Sequence, residues 1–309
     1  MIHPSYEASV VIPVYNGADV LLKQLKALDK QDGNHSFEVI VSDNGSTDNT
    51  REVVDSYQAS YPLRVVDSSE RAGICTARNL GVKAAQGDIV LFCDADDFVE
   101  PGWISGHLAV HTQHSPAIVA GSLLHGHNPP QVLRAYGLIP GLDEDIRTNP
   151  TLVKTAEDMS VRFLPSVAGC NFSVPRSAYL KLGGMDTTYL GGSEETDFTW
   201  RAQLAGIPFF QTNSALVNYT LRATPRGIYR QLIGYQSTRV LLWKRFKDQG
   251  FTAGPSLSYS LKMVLKSFPK LLVPRLRLSA SYQLGGNMGA LIGMVRYRLR
   301  PIPPRQLMK

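Results

Sequence analysis

Over its first hundred residues the chain alternates short, almost wholly apolar runs with longer amphipathic ones. That alternation narrows what it can fold into more than any other feature. "ASVVIPV" (8–14) reads as a strand buried on both faces, and "ADVLLKQLKALDKQ" follows with Leu21, Leu22, Leu25 and Leu28 at helical spacing. "FEVIVSDNGS" is a second strand ending at Asp43, and "STDNTREVVDSYQASY" opens a helix with Ser46, Thr47 or Asp48 as its cap. "LRVVDS", "GICTARNLGVKAAQ" and "DIVLFC" continue as strand, helix and strand. Continuous apolar strands separated by helices make a parallel sheet covered on both faces. Ligands of such sheets bind beyond the carboxyl ends of the strands. Asp43 and the acids from Asp94 to Asp97 fall at those ends, so they are expected to share one crevice.

The later part is less regular. "AIVAGSLL" reads as another strand, and residues 125–165, with several prolines and little periodicity, as an irregular insertion. "SVAGCNFSVPRSAYLKLGGMD" holds a strand, then a helix started by Pro175 and ended by Gly183-Gly184; "SEETDFTWRAQLAG" is a helix closed by Gly206. The expected organisation is a domain over 1–220, whose acceptor-side half starts near 120, and a basic amphipathic helical tail over 221–309.

Charge separates these two parts. Residues 221–309 hold 17 Lys+Arg and one acid, Asp248, whereas residues 1–220 hold 15 Lys+Arg against 25 Asp+Glu. A basic tail of this kind suits nucleic acid, an anionic membrane surface or a polyanionic substrate, and its richness in Leu, Tyr, Trp, Phe and Met argues against a merely solvated segment; the partner expected is the membrane surface, not nucleic acid. Its last apolar stretch, Leu284 to Val295, spans 12 positions and includes Asn287. That falls short of the roughly 20 residues of a membrane span. Gly285, Gly289 and Gly293 lie four apart, a bare helix face on which another helix can pack. Cys75, Cys93 and Cys170 form no C-x-x-C pair, which argues against a disulfide framework or zinc site and for a reducing compartment. The opening residues lack a basic region followed by a long apolar one, so no secretory leader is expected and the location is cytoplasmic.

In "LFCDADDFVEP" (91–101) an apolar strand stops on Asp94, Asp96 and Asp97. Carboxylates this dense repel one another unless something positive sits among them. Asp94 and Asp96 suit a hard divalent cation, Mg²⁺ or Mn²⁺, which binds few carboxylates and completes its shell with substrate phosphates. Asp97 and Glu100 read as decoration of the next helix start. The other strand ends add a nucleotide site. Pro13, Tyr15 and Asn16 offer an aromatic face and backbone groups to a flat ring, Asp43 can accept from a base or ribose, and Arg71 precedes a helix whose N-terminus attracts anions.

Five stretches in order, "VVIPVYNG", "EVIVSDNGSTDNT", "RAGICTARNLGVKAAQGDIVLFCDADD", "GCNFSVPRSAYLKLGGMD" and "GGSEETDFTWRA", make residues 8–220 resemble an inverting family 2 glycosyltransferase. The resemblance implies the A-type, nucleotide-sugar-binding fold: a Rossmann-like α/β architecture with a mixed, mostly parallel sheet flanked by helices, here with a basic helical C-terminal extension. It implies transfer of one sugar from a nucleoside-diphosphate sugar to an acceptor hydroxyl. UDP is the expected carrier, with GDP and dTDP open because Asp43 can serve several bases. The family's acidic pair at a helix start corresponds to Glu194-Glu195, with Glu195 in the usual base position and Glu194 as the alternative; the family more often has Glu-Asp. Asn171 and Asp197 are placed on the acceptor side, and Cys170 as a small buried residue.

Two further departures qualify the resemblance. No histidine follows His127 to serve as an extra metal ligand, and His107, His111 and His114 read as unrelated residues of a surface helix. "QSTRV" (236–240) lacks the tryptophan of the Q-x-x-R-W motif of processive members, so single-sugar addition is expected. The acceptor is a glycan or lipid-linked molecule of surface polysaccharide or glycolipid synthesis, reached by a peripheral enzyme at the inner face of the cell membrane. The alternatives are a non-catalytic nucleotide-sugar or glycan-binding protein and a sugar-phosphate nucleotidyltransferase. "PVYNGADV" argues against the second, lacking the glycine-rich loop and basic residue those enzymes place after the first strand.

Overall fold

The computed structural model describes residues 6–308 apart from 140, 162 and 299. The N-terminal elements alternate as β1 (Ala8–Val14), α1 (Ala18–Leu28), β2 (Phe37–Asp43), α2 (Thr50–Ser56), β3 (Leu63–Asp67), α3 (Ile74–Ala84) and β4 (Ile89–Phe92). They are followed by β5 (Phe98–Val99), α4 (Trp103–His114), β6 (Ile118–Leu124), α5 (Pro130–Tyr136), α6 (Leu142–Thr148), β7 (Val153–Thr155), β8 (Phe172–Pro175), α7 (Arg176–Lys181), α8 (Glu194–Leu204) and β9 (Phe209–Asn218). The tail forms α9 (Pro225–Phe246), α10 (Leu257–Leu271) and α11 (Arg277–Gly293).

One mixed, mostly parallel sheet runs β3-β2-β1-β4-β8-β6-β9-β5, with β7 also on β9. Its first four strands are parallel neighbours, and β8 enters antiparallel between β4 and β6. Alternate residues of β1 serve opposite faces: Val10 and Ile12 join a core with Leu21, Leu25 and Trp103, while Val11 joins Phe92, Phe172, Trp200 and Phe246.

Several expectations change. Residues 125–165 contain α5, α6 and the short β7 rather than only irregular chain. The cap of α2 is Asn49; Asp48 instead accepts from the backbone amides of Ala18 and Thr50, tying the loop after β1 to the one after β2. The histidine helix is not a surface helix: His107 and His111 are buried. Their burial holds the rings neutral, with pKa lowered to about 3 and about 4. His107 lies 3.1 Å from Asn171 Oδ1 and 2.9 Å from Ser173 Oγ, and His111 lies 2.9 Å from the same hydroxyl.

The tail helices are packed on the sheet domain. Val240, Leu241, Leu242 and Phe246 of α9 enter the same core as Phe92 and Phe172. A side chain at Gly285, Gly289 or Gly293 would meet the α9 carbonyl oxygens of Tyr229, Ile233 and Ser237 at 2.7, 2.7 and 2.5 Å, so the three glycines are the contact by which α11 lies against α9. Helix α10 runs through Pro269 to Leu271. The last residues return to the body, where Met308 N donates to Gly183 O at 2.8 Å.

Candidate active site

The carboxyl ends of β1 and β4 and the start of α3 open onto two adjoining recesses. The smaller, about 400 Å³, is lined by Pro13, Tyr15, Asn44, Gly73 and Ile74, with Tyr15 63% exposed. Asn16, at φ 51°, turns the chain after β1, and its side-chain oxygen accepts from Thr47 N at 2.8 Å. Asn44 fixes the opposite wall, donating to Arg71 O at 3.0 Å and accepting from Gly73 N at 2.7 Å. Ala72, Gly73 and Ile74 line both recesses, so the N-terminus of α3, with no acid in its first turn, sits between them. That is where an anion gains from free backbone N–H groups and the helix dipole.

The larger cavity, about 1120 Å³, is lined by Arg78, Asp94, Cys170, Glu194, Glu195, Tyr219, Arg222, Arg230 and Tyr235. Arg78 is the buried positive charge between its acids. Its guanidinium donates to Asp94 Oδ1 at 2.9 Å, Glu194 Oε1 at 3.1 Å and Gly169 O at 3.1 Å. Burial works against that charge, but Asp94 and Glu194 outweigh it and hold its pKa above the ordinary value. Asp96 pairs with Arg222 at 2.9 Å; burial raises its pKa, opposed by Arg222 and reinforced by Asp94.

Asp97 overturns the sequence expectation. It is buried, it precedes β5 rather than a helix, and α4 starts only at Trp103. Its Oδ1 accepts from Thr220 N at 2.7 Å, and its Oδ2 has no partner. Burial and the Asp94 charge push its pKa up to about 8. Ligand atoms of Asp94, Asp97 and Cys170 lie within 4.8 Å of one another. Hard carboxylate oxygens around an unpartnered buried oxygen fit a hard divalent cation. Cys170 fits less well, since burial raises its thiol pKa and sulfur prefers softer metals.

Across the cavity, α8 begins after Ser193, held at φ 69°. Glu194 is buried with one oxygen on Arg78 and the other unpartnered. Glu195 is partly buried on the cavity wall, and burial together with the Glu194 charge raises its pKa.

Four other expected site residues lie elsewhere. The Arg71 guanidinium turns to Thr187, donating to Oγ1 at 2.8 Å and to the carbonyl at 3.2 Å, and to Gln306. Asp43 is buried, with its oxygens taken by Ser46 N and Arg51 Nε, both at 2.9 Å. Burial alone would raise its pKa, but those hydrogen bonds hold it low. Asn171 is fully buried: it donates to the carbonyls of Ser122 and Ala215 and accepts from Trp103 Nε1, leaving nothing for an acceptor sugar. Asp197 faces away into a cluster with Arg201 at 2.8 Å, Arg245 at 3.9 Å and Arg305. The sequence reading missed Arg78 and Arg222. Arg78 stands within the quoted "TARNLG", in a helix stretch that is buried nearly all round and is otherwise made mostly of small residues such as Cys75, Thr76, Ala77 and Gly81. That is a place where an arginine must have a buried partner.

Residues 9–158 match the sequence profile of glycosyl transferase family 2. The pre-mycofactocin glycosyltransferase of Mycobacterium tuberculosis is 32% identical over 251 residues, covering 80% of this chain and 50% of that protein. The chain spans about half the length, or less, of the curated relatives it matches first. Two solved structures share the fold. One is a mannosyltransferase from Pyrobaculum calidifontis in complex with GDP-Man and Mn²⁺, with TM-score 0.64, 17% identity, and 93% of this chain and 88% of that one covered. The other is Staphylococcus aureus TarS 1-349 in complex with UDP-GlcNAc, with TM-score 0.54, 18% identity, and coverage of 94% and 91%.

Proposed function

Because the chain belongs to glycosyl transferase family 2 and has its A-type fold, we propose that it is a metal-dependent inverting enzyme. It moves one sugar from a nucleoside-diphosphate donor to an acceptor hydroxyl. The observation that carries this reading is Arg78 joining Asp94 and Glu194 across one cavity, with Glu195 on the same wall and the Tyr15 recess adjoining. The nucleoside lies against Tyr15, and its diphosphate lies at the α3 N-terminus, with Arg222 and Arg230 adding positive potential. The acceptor hydroxyl stands beside Glu195, which takes its proton as the oxygen attacks the anomeric carbon. The bond from that carbon to the diphosphate oxygen breaks on the opposite face, and the configuration inverts. Glu194, held by Arg78, keeps a negative charge next to Glu195 and strengthens it as a base. When held by Asp94 with Asp96 and the unpartnered oxygen of Asp97, Mn²⁺ or Mg²⁺ would supply Lewis-acid neutralisation of the departing diphosphate.

A UDP sugar is the proposed donor, with GDP sugars next; fold relatives bound to UDP-GlcNAc and GDP-Man support both. The acceptor is a glycan or lipid-linked molecule of surface polysaccharide or glycolipid synthesis, reached from the cytoplasmic side at an anionic membrane surface. The test is a panel of nucleotide sugars with Mn²⁺ and a broad set of acceptors, scored for release of nucleoside diphosphate and for donor-induced thermal stabilisation. Release that needs the metal and an acceptor is expected. Donor binding without release across the panel would assign the chain a binding role instead.

A further inference from the structure

Helix α10 is amphipathic in the wrong sense for a helix of a soluble body. Its buried residues are Ser260, Val264 and Ser267. Leu257, Leu261, Leu265, Phe268 and Leu272 are exposed instead, Leu265 by 71% and Leu272 by 81%. At about 100° per residue, these five fall within an arc of about 80°, one continuous stripe. On the same geometry Lys262, Lys266 and Lys270 run along the edge of the stripe away from the buried face. Lys270 also donates to Gln283 at 3.2 Å. Arg275 and Arg277 continue the charge beyond the helix, and no acid occurs from residue 249 to 309.

Exposed apolar surface of this extent marks an interaction site, and the charge beside it selects the occupant. A second copy would bring the same uncompensated lysines against these, so self-association through this face is opposed. An anionic bilayer satisfies both parts: the leucines and Phe268 enter the boundary between headgroups and acyl chains, while the ammonium groups stay at the phosphates. Among the described residues no helix is long and apolar enough to cross a membrane, so attachment through α10 is interfacial.

We propose that α10 is the membrane-docking element, lying in the plane of an anionic bilayer with its leucine stripe down. This deepens the membrane part of the proposed function and is independent of its transfer chemistry. The experiment is co-sedimentation of the full chain with phosphatidylcholine vesicles, with and without phosphatidylglycerol, alongside donor turnover on a soluble acceptor. Retention on anionic vesicles that weakens with salt is expected. K262E/K266E/K270E should lower partitioning by more than about a hundredfold, and L265D/F268D should abolish it. Both variants should keep wild-type thermal unfolding and soluble turnover, so a failed transfer reaction and a failed docking face give different results. Equal retention of wild type and L265D/F268D overturns the proposal, as does no preference for anionic over neutral vesicles. A lipid-free dimer in sedimentation velocity that L265D/F268D dissolves would assign the face to a second copy and also overturn it.

Discussion

The two acidic clusters that face each other across the large cavity look alike in sequence and part ways in structure. At the end of β4, Asp94 lines the cavity, Asp96 pairs with the cavity residue Arg222, and Asp97 is buried beside Asp94. At the start of α8, Glu194 and Glu195 stay, but Asp197 turns into an ion cluster with Arg201, Arg245 and Arg305. The difference follows from the backbone. Asp94 to Asp97 lie in the turn after β4, whereas on α8, at about 100° per residue, Asp197 stands about 160° around the helix from Glu195. Charge supply follows the same division. Arg78 serves Asp94 and Glu194 together, while Asp197 pairs with Arg201 and shares Arg245 and Arg305 with Asp186.

The largest effect should come from the one acid placed to act as base. E195Q is expected to lower kcat by about 10² to 10⁴, with donor affinity unchanged by calorimetry. If E195Q turns over like wild type while E194Q does not, the base is Glu194 and the two carboxylates exchange roles. Next comes the shared arginine. Arg78→Met leaves two carboxylates unpaired in a buried site, and breaking such a pair costs about 3–5 kcal/mol, read as a lower denaturation midpoint together with lost transfer. D197N gives the contrast: it removes the acid that pairs with Arg201 and that shares Arg245 and Arg305 with Asp186, and should cost about 3 kcal/mol of stability. Folded D197N should keep wild-type kcat, because Asp197 does not line the cavity. Lost turnover in folded D197N would break the division between the clusters.

How much of this was readable in the sequence depends on whether a residue's partners are local. β1, β2 and β4 are short runs buried on both faces, and their periodicity alone placed Asp94 and Asp96 at strand ends. Strand β9, "FFQTNSALVN", escaped notice because polar residues interrupt it and its pairing with β6 shifts register at Gly121/Ser122. Asn171 was legible as part of a motif but not as a residue whose every side-chain atom is occupied, since its partners stand 44 to 68 positions away. Arg71 and Arg78 show the same limit from both sides. Seven residues apart on the sequence, the nearer to the motif edge turns away and the one inside the helix carries the site.

Proton linkage offers a finer test of the facing pair. Burial and the Glu194 charge raise the Glu195 pKa, and a base works only when ionised. Transfer should therefore switch on with rising pH, through a limb above the ordinary carboxylate range, in kcat/KM profiles. E194Q removes the neighbouring charge and should move that limb to lower pH, while D197N should leave it in place. A limb that D197N moves as far as E194Q does would mean that the two clusters are electrically one.

The smallest expected effect concerns Arg222, which pairs with Asp96 from a position 53% exposed. An ion pair so open to water is worth only about 0–1 kcal/mol, so it holds Asp96 weakly and yields to a stronger cation. Arg222→Ala should therefore tighten Mn²⁺ binding in the absence of donor by no more than about fivefold, measured by titration of the free metal signal. The matching change on the opposite wall has no such freedom, because Arg78 is buried and each of its carboxylate partners depends on it. Arg78 thus works as fixed internal charge and Arg222 as an exchangeable one. If Arg222→Ala weakens metal binding instead, Arg222 orients Asp96 for the ion rather than competing with it, and both walls are then built on arginines that position carboxylates.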